Sequence, residues 1–167
     1  YDELDPTKIR ILYLHDLPHD PESMKIFETE TWKKLHKIVC VSQWQMQHYI
    51  EAYNLPWSSF VVLPNSIEPI ARTSEWMNGD KIKLVYHTTP HRGLDIVHAV
   101  VDKLSQENYQ VHLDVFSSFN AYGWPEQDAP FQDLFKKIED HPAMTNHGYQ
   151  PNEVVREHLA QADIFTY

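Results

Sequence analysis

Apolar and polar residues follow two different periods along the chain. Short apolar runs rich in β-branched and aromatic residues are separated by stretches in which apolar residues recur every three or four positions. The first pattern is typical of buried strands and the second of amphipathic helices. Their alternation predicts βα units around parallel sheets, and therefore an α/β fold. The predicted strands cover residues 9–15, 37–41, 60–63, 81–87, 110–116, 144–147 and 163–167.

Helices are predicted between these strands. One is expected over residues 29–35, after a proline-bounded loop at 16–22. Ser42 is expected to cap the next helix, because its side-chain oxygen can accept a bond from a first-turn N–H. Pro151 suits the first turn of the last helix, where its missing N–H is not needed. The apolar positions of the four longer helices are Met46, Tyr49, Ile50 and Tyr53; Leu94, Val97, Val101 and Leu104; Phe131, Leu134, Phe135 and Ile138; and Val155, Leu159 and Ala162.

The periodicity lapses between residues 66 and 80. The segment EPIARTSEWMNGD there is polar enough for a linker or an excursion over the surface. A new βα series begins at Lys81. We therefore predict two incomplete α/β lobes, at residues 1–68 and 81–167, joined by a linker at 69–80.

Composition excludes several classes of protein. A formal net charge of -10 opposes nucleic-acid binding, and no local Lys/Arg cluster offsets it, so no nucleic-acid partner is expected. No apolar run approaches the roughly 18 residues of a transmembrane helix. The single cysteine, Cys40, excludes an internal disulfide and favours a reducing, cytoplasmic location. The sequence starts at Tyr1 without Met and stops in an apolar run, so we expect a segment of a longer protein.

The first candidate site is the segment HDLPHD, at the carboxyl end of the first predicted strand. Ligands of open α/β sheets bind just outside such strand ends, so His15 is a candidate substrate contact. His15, Asp16 and His19 also offer imidazole and carboxylate ligands for a metal. Pro18 prevents the regular helix that would bring the two histidines onto one face. Ordinary loop polarity is the remaining interpretation.

The second candidate site is the loop TTPHRG, between a strand and a helix of the second lobe. Arg92 and the backbone N–H groups around Gly93 meet at a helix N-terminus, an arrangement that attracts phosphate. The helix dipole disfavours an arginine at this place unless an anion compensates it. Alternatively, Arg92 is a solvated residue and Gly93 only relieves a turn.

The third candidate site is Gly148, Tyr149 and Gln150, at the next strand-to-helix turn. Such a turn exposes backbone groups that could recognise a nucleobase edge, with Tyr149 available for packing. An ordinary βα turn is the alternative. The remaining histidines, including His98, His112 and His158, are scattered along the sequence and suggest no cluster.

The order of these features resembles glycosyltransferase family 4, a group of retaining GT-B enzymes. HDLP at 15–18, VCVSQW at 39–44 and VVLPNSIEP at 61–69 are similar to motifs of that family's acceptor half. VYHTTPHRGLDIV at 85–97 and HGYQPNEVVREHLAQADIFTY at 147–167 are similar to motifs of its donor half. Ser66 departs from the pattern, since the family has glycine after Pro-Asn. The chain also stops before the family's pair of glutamates, so the segment alone is expected to be inactive.

The resemblance implies a function. Residues 1–68 would end an acceptor-side domain, and residues 81–167 would begin a donor-binding domain. The enzyme would transfer a sugar, with retention, from a nucleoside-diphosphate-sugar co-substrate to a glycan, lipid or similar acceptor. His15 would lie near the transferred sugar as a catalytic residue. Arg92 and the helix beginning at Gly93 would stabilise the leaving diphosphate, with Gly148, Tyr149 and Gln150 also binding the donor and no metal or other cofactor needed.

Two other functions remain open from the sequence. One is a non-catalytic, Rossmann-like module that keeps only a nucleotide pocket. The other is a metal-dependent hydrolase that uses His15, Asp16 and His19.

Overall fold

The computed structural model describes residue 5 and residues 7–73 and 81–167. It divides the chain into two compact units, Tyr1–Glu68 and Pro69–Tyr167. Each unit contains its own parallel sheet with helices, which confirms the predicted α/β fold. Within the described residues, no helix is both long enough and apolar enough to cross a membrane.

The first unit has a parallel sheet with strand order β1 (Ile11–Leu14), β2 (Lys37–Cys40) and β3 (Phe60–Val62). Its strands are short because each crosses only a small core. The helix after β2 begins where predicted, since Ser42 accepts a hydrogen bond on its side-chain oxygen from the Gln45 backbone N–H at 3.0 Å. The elements are β1 (Ile11–Leu14), α1 (Pro21–Glu28), β2 (Lys37–Cys40), α2 (Gln43–Tyr53) and β3 (Phe60–Val62), with 3-10 turns at Thr31–Lys34 and Trp57–Ser59.

The loop predicted at 16–22 is present but ends at residue 20, and the helix predicted at 29–35 is wrong. Helix α1 begins at Pro21 instead, because the Asp20 carboxylate accepts a bond from the Glu22 backbone N–H at 3.0 Å. Proline at the first helical position loses no hydrogen bond and already has the helical φ angle. Only the 3-10 turn Thr31–Lys34 remains of the predicted helix. The Asp-Pro pair therefore both ends the loop and starts a helix.

A single apolar cluster holds the first unit together. It joins the inner faces of the three strands to α1 and α2. Cys40 is fully buried there, and burial raises the pKa of its thiol to about 11, so it is a core residue and not a nucleophile. The buried members are Leu14, Ile26, Phe27, Ile38, Cys40, Met46, Tyr49, Leu55 and Phe60.

The second unit has a parallel sheet with strand order β6 (Met144–Asn146), β5 (Val111–Phe116), β4 (Ile82–His87) and β7 (Ile164–Thr166). The long loop predicted after β5 contains two 3-10 segments, Phe119–Tyr122 and Pro125–Phe131. Pro151 lies just before the last helix, not in its first turn. The elements are β4 (Ile82–His87), α3 (Leu94–Gln106), β5 (Val111–Phe116), α4 (Gln132–Glu139), β6 (Met144–Asn146), α5 (Asn152–Leu159) and β7 (Ile164–Thr166).

Both faces of this sheet carry apolar clusters, and the apolar residues LVY at 84–86 and VF at 115–116 contribute to both. On one face Tyr86, Leu113 and Val115 pack against α3 and α4. On the other face, a smaller cluster joins Val85 and Phe116 to α5. The face that α5 covers is therefore less apolar than the face that α3 and α4 cover.

The segment before β4 belongs in part to the second unit. Thr73 donates its backbone N–H to the Ala160 carbonyl at 2.9 Å. Arg72 forms an ion pair with Asp163 at 2.8 Å. The predicted linker at 69–80 is thus attached to the second unit at 72–73, and residues 74–80 lie outside the described residues. The acceptor-side and donor-side assignments of the two units stay predictions.

Two neighbouring valines of α3 test the core. Val101 is fully buried and Val100 is 51% exposed. Replacing Val101 by Ala should lower the free energy of unfolding by about 2 kcal/mol, because it removes buried methyl groups and leaves a cavity. The same change at Val100 should alter it by less than about 0.5 kcal/mol. Urea denaturation followed by circular dichroism measures both, and equal effects would contradict the assigned helix face.

Candidate functional site

A cavity of about 300 Å³ lies at the carboxyl ends of β4, β5 and β6. Parallel strands end at the same edge of a sheet, so the three following loops meet around one space. All three loops contribute to its wall. The lining residues are His87 at the end of β4, with Thr88 and Thr89 after it; Phe116 at the end of β5, with Ser118, Ala121 and Tyr122 after it; and Gly148, Tyr149 and Gln150 after β6, with Asn152 at the start of α5.

A buried tyrosine, Tyr86, holds the loop after β4 through a hydrogen bond. The Tyr86 hydroxyl donates to the Thr89 carbonyl at 3.0 Å. Burial raises the pKa of Tyr86 to about 12, so the hydroxyl stays protonated and remains a donor. The Arg92 backbone N–H donates to the same carbonyl at 3.2 Å and closes a turn. The wall of the cavity is therefore held in place on this side.

Thr89 is buried, and its hydroxyl has no hydrogen-bond partner among the described residues. A buried polar group left unpaired costs about 1–3 kcal/mol. Thr89 is also one of the residues that line the cavity. Its hydroxyl is one of three buried side-chain polar atoms without a partner in the described part of the chain, and the sequence alone did not single it out.

Arg92 and Gly93 lie beside this loop and are not among the cavity-lining residues. Gly93 precedes α3 with a φ of +89°, a conformation that favours glycine, and no side chain caps the helix. The exposed Arg92 guanidinium donates to the Tyr167 hydroxyl at 2.5 Å. Their predicted roles in binding the diphosphate stay predictions.

The loop after β5 forms a second wall, anchored by a carboxylate. Asp128 accepts hydrogen bonds from the Ser118 hydroxyl at 2.5 Å and from the Phe119 backbone N–H at 2.9 Å. Tyr122, which lines the cavity, stacks on Trp124 with ring centroids 5.7 Å apart. The sequence contained the signal, since Tyr-Gly-Trp-Pro is unusually aromatic for a loop, but it did not show which strand end the loop covers.

The loop after β6 supplies Gly148, Tyr149 and Gln150 to the cavity wall. Gly148 has a φ of +60° and donates its backbone N–H to the Asn146 side chain at 3.1 Å. The Gln150 side-chain amide donates to the His147 carbonyl at 2.9 Å. Tyr149 is 53% exposed, so its ring is available to a ligand. The structure thus brings these three predicted residues together at one site, and their role in binding stays a prediction.

The cavity is nearly uncharged. No Lys or Arg occurs among the described residues that line it. His87, at the end of β4, is exposed as a whole residue, yet partial burial of its ring lowers its pKa below the usual value. The imidazole is therefore neutral at pH 7. A negatively charged ligand would depend on backbone N–H groups and on cations outside the cavity.

In the first unit, His15 is exposed just after β1 and lies against the Tyr13 ring, with centroids 4.6 Å apart. The following loop is held through its backbone. Asp16 accepts hydrogen bonds on its carbonyl from Gln45 at 2.9 Å and from Tyr49 at 3.1 Å. Gln45 also accepts the Val41 backbone N–H at 2.8 Å. The HDLPHD segment is therefore positioned by α2, a contact that the sequence did not predict.

The structure groups potential metal ligands differently from two predictions. One was a possible metal site at His15, Asp16 and His19, and the other was that the remaining histidines form no cluster. Within residues 7–73 and 81–167, the one group of three potential ligand residues with atoms within 4.8 Å of each other is Asp114, His147 and His158. His15, Asp16 and His19 do not form such a group, so the metal-dependent hydrolase loses its geometric basis. The prediction that the remaining histidines form no cluster was wrong, because sheet pairing brings together residues far apart in sequence.

Comparison with known proteins identifies the fold. No protein-family model matches the sequence, and no curated protein matches it significantly. Among solved structures, TarM, known from S. aureus, is 11% identical with a TM-score of 0.66, covering 94% of this chain and 31% of TarM. The pneumococcal O-GlcNAc transferase GtfA, solved with UDP and GlcNAc, is 13% identical with a TM-score of 0.59, covering 96% and 33%. The lipopolysaccharide outer core galactosyltransferase WaaB is 15% identical with a TM-score of 0.50, covering 90% and 40%.

These neighbours are GT-B glycosyltransferases, and the chain has part of the GT-B fold. It spans about a third of the length of TarM and GtfA. At such low identity the similarity establishes the fold alone. The activity of the complete protein is therefore a matter for proposal.

Proposed function

We propose that the chain is part of a retaining, family 4-like glycosyltransferase and that its second unit binds the nucleoside diphosphate of a sugar donor. The observation that carries this proposal is the cavity at the carboxyl ends of β4, β5 and β6, whose lining residues include Thr89, a buried residue with a hydroxyl that has no partner among the described residues. Nucleotides bind to open α/β sheets at such strand ends. GtfA and a TarM variant, which share the fold, have structures with UDP.

The nucleoside is proposed to occupy the cavity itself. Tyr122 and Tyr149 are exposed aromatic side chains in its wall, and either ring offers a face for stacking a base. Around Gly148 and Gln150 the turn presents backbone groups that can pair with a base edge. A neutral, partly aromatic cavity suits a base and ribose better than it suits a diphosphate.

The diphosphate is proposed to lie toward the N-terminus of α3. Gly93 leaves that helix end without a side-chain cap, and the positive end of the helix dipole favours an anion there. The Leu94 and Ile96 N–H groups already donate to the Pro90 and Gly93 carbonyls. Arg92 is next to Gly93 and exposed. As the glycosidic bond breaks, negative charge grows on the diphosphate, and a guanidinium there stabilises the transition state more than the ground state.

The remaining parts of the reaction rest on the family resemblance. His15 is exposed at the carboxyl end of β1 and is proposed to contact the transferred sugar. The acceptor is a glycan, lipid or similar molecule, the enzyme acts in the cytoplasm, and no cofactor is required beyond the nucleotide sugar. A non-catalytic nucleotide-binding module remains the alternative, and it differs from the enzyme in binding UDP without turning over a UDP-sugar.

Thr89→Val provides a test in which stability and binding should respond differently. Valine has the shape of threonine without the unpaired hydroxyl, so the melting temperature of the free protein should stay the same or rise. UDP affinity should fall about tenfold, because the ligand loses a hydrogen bond in a buried place. Differential scanning fluorimetry measures the first effect, and isothermal titration calorimetry with UDP measures the second.

A pair of equally exposed tyrosines serves as the control for this test. Tyr149 is 53% exposed in the cavity wall, and Tyr109 is 56% exposed outside it. Tyr149→Ala should weaken UDP binding and Tyr109→Ala should leave it unchanged. If UDP binds equally well to the Thr89 and Tyr149 variants and to the unmodified protein, the nucleotide does not bind in this cavity.

Arg92→Ala tests the proposed diphosphate contact in the complete enzyme. Its kcat for UDP release from UDP-N-acetylglucosamine or UDP-glucose should fall on the order of a hundredfold or more, as expected when one preorganised electrostatic donor is lost. Arg92→Lys should recover only part of the rate, because it lacks the bidentate fork. The melting temperature should change little, since Arg92 is exposed.

Lys103→Ala is the matched control, because Lys103 is an exposed cation at the other end of α3. It should retain the unmodified rate. Unchanged turnover in Arg92→Ala would show that Arg92 is only a surface residue at a helix start. UDP binding without any UDP release by the unmodified enzyme would instead support the non-catalytic module.

A further inference from the structure

A cluster of histidines surrounds Asp114 on the α5 face of the second sheet. His112 and Asp114 are two residues apart on β5, so their side chains point to the same face. His147 follows β6, the neighbouring strand, and its Nε2 lies 2.6 Å from the Asp114 Oδ1. His158 on α5 completes the group. One ligand atom each from Asp114, His147 and His158 lies within 4.8 Å of the other two.

The imidazoles are already oriented by other contacts. His158 Nδ1 lies 3.0 Å from the Val154 carbonyl, which can only accept, so Nδ1 carries a proton and Nε2 is the nitrogen left for a bond to a metal. Metal-ligating histidines usually make this kind of bond with their second nitrogen. The His147 ring stacks on Phe116 at a centroid distance of 4.5 Å and an angle of 5°. The two rings therefore need little reorganisation to act as ligands.

Free space lies beside these groups. A cavity of about 260 Å³ is lined by His112, Asp114 and His158, together with residues of β4 and residues that flank β4 and α5. This cavity is separate from the one at the strand ends, with which it shares no lining residue. Lys81 and Lys83 also line it, but both are exposed, and water and salt reduce their repulsion of a cation.

We propose that Asp114, His147 and His158 bind Zn²⁺, with His112 or a water molecule as the fourth ligand. Two imidazoles and one carboxylate are a ligand set that zinc binds readily in tetrahedral geometry. His112 Nε2 is 3.7 Å from the Asp114 Oδ1, within reach of the same ion after a side-chain rotation.

Binding requires one rearrangement. The 2.6 Å distance between His147 and Asp114 is that of a hydrogen bond, and two ligands of one tetrahedral zinc ion are about 3.3 Å apart. The ion takes the place of the proton between the His147 and Asp114 ligand atoms. These two atoms move apart by about 0.7 Å. Because metal ligands must be deprotonated, zinc binding releases this proton if His147 carries it on Nε2.

The site would hold together three elements of the second unit: β5, α5 and the start of the loop at His147. That loop continues into Gly148, Tyr149 and Gln150, which line the other cavity. Zinc would therefore stabilise the unit and fix one wall of the candidate nucleotide site. The zinc proposal does not rest on the proposed function, since it depends only on the cluster.

The test is calorimetric titration of ZnCl₂ into the chelator-treated protein at pH 7.5. One equivalent should bind with micromolar or tighter affinity and should raise the melting temperature. Asp114→Asn and His158→Gln should each weaken the affinity tenfold or more. The control is His91→Gln, at an exposed histidine that stacks on Phe119 outside the cluster, and it should bind zinc like the unmodified protein. MgCl₂ should not bind, since magnesium prefers oxygen ligands.

Cobalt spectroscopy of the unmodified protein keeps the proposal falsifiable if a variant fails to fold. Co²⁺ in the same site should give the intense visible absorption of tetrahedral coordination, and one equivalent of Zn²⁺ should remove it. The proposal is overturned if no equivalent of zinc binds, if folded Asp114 and His158 variants bind it with unchanged affinity, or if the cobalt spectrum is weak and octahedral.

Discussion

The in-register parallel pairing of β4 with β5 is the interaction on which the second unit depends. Val85 lies opposite Asp114, Tyr86 opposite Val115, and His87 opposite Phe116. This register puts Tyr86 and Val115 on the α3 face and ends both strands at the same level. A shift by one residue would turn every apolar side chain to the other face and would separate the loops that form the cavity.

The same register creates the cavity and the histidine cluster of this unit. At the strand ends, loops from β4, β5 and β6 meet around the 300 Å³ cavity. The face of the sheet that α5 covers is less apolar than the other face. On that face Asp114 lies near His112 on β5, His147 just after β6 and His158 on α5. His147 connects the two, since it contacts Asp114 through its ring and Gln150 through its carbonyl. Binding at either site would restrict the same loop.

Local sequence signals predicted the fold well, because strands and helices are encoded in hydrophobic period. They also placed Gly148, Tyr149 and Gln150 at a strand end, where the structure puts them in the cavity wall. The wrong prediction at 21–35 is local too, since Asp20-Pro21 starts a helix and the helix was expected only from residue 29.

Other features could not be predicted because they depend on strand order. Asp114 and His147 are 33 residues apart and meet only because β5 and β6 are neighbours. The unpaired Thr89 hydroxyl and the Gln45 contacts with the Asp16 carbonyl likewise arise from tertiary packing. A single sequence specifies which residues are buried more readily than it specifies which residues meet.

The central claim is that three strand-end loops form one nucleotide site. Hydrogen–deuterium exchange of the protein with and without saturating UDP tests it most directly, because it reports the location of binding. We expect slower exchange at residues 87–93, 117–122 and 147–152 together, with β1 to β3 unchanged. Protection confined to the first unit, or absent from all three loops while UDP is bound, would contradict it.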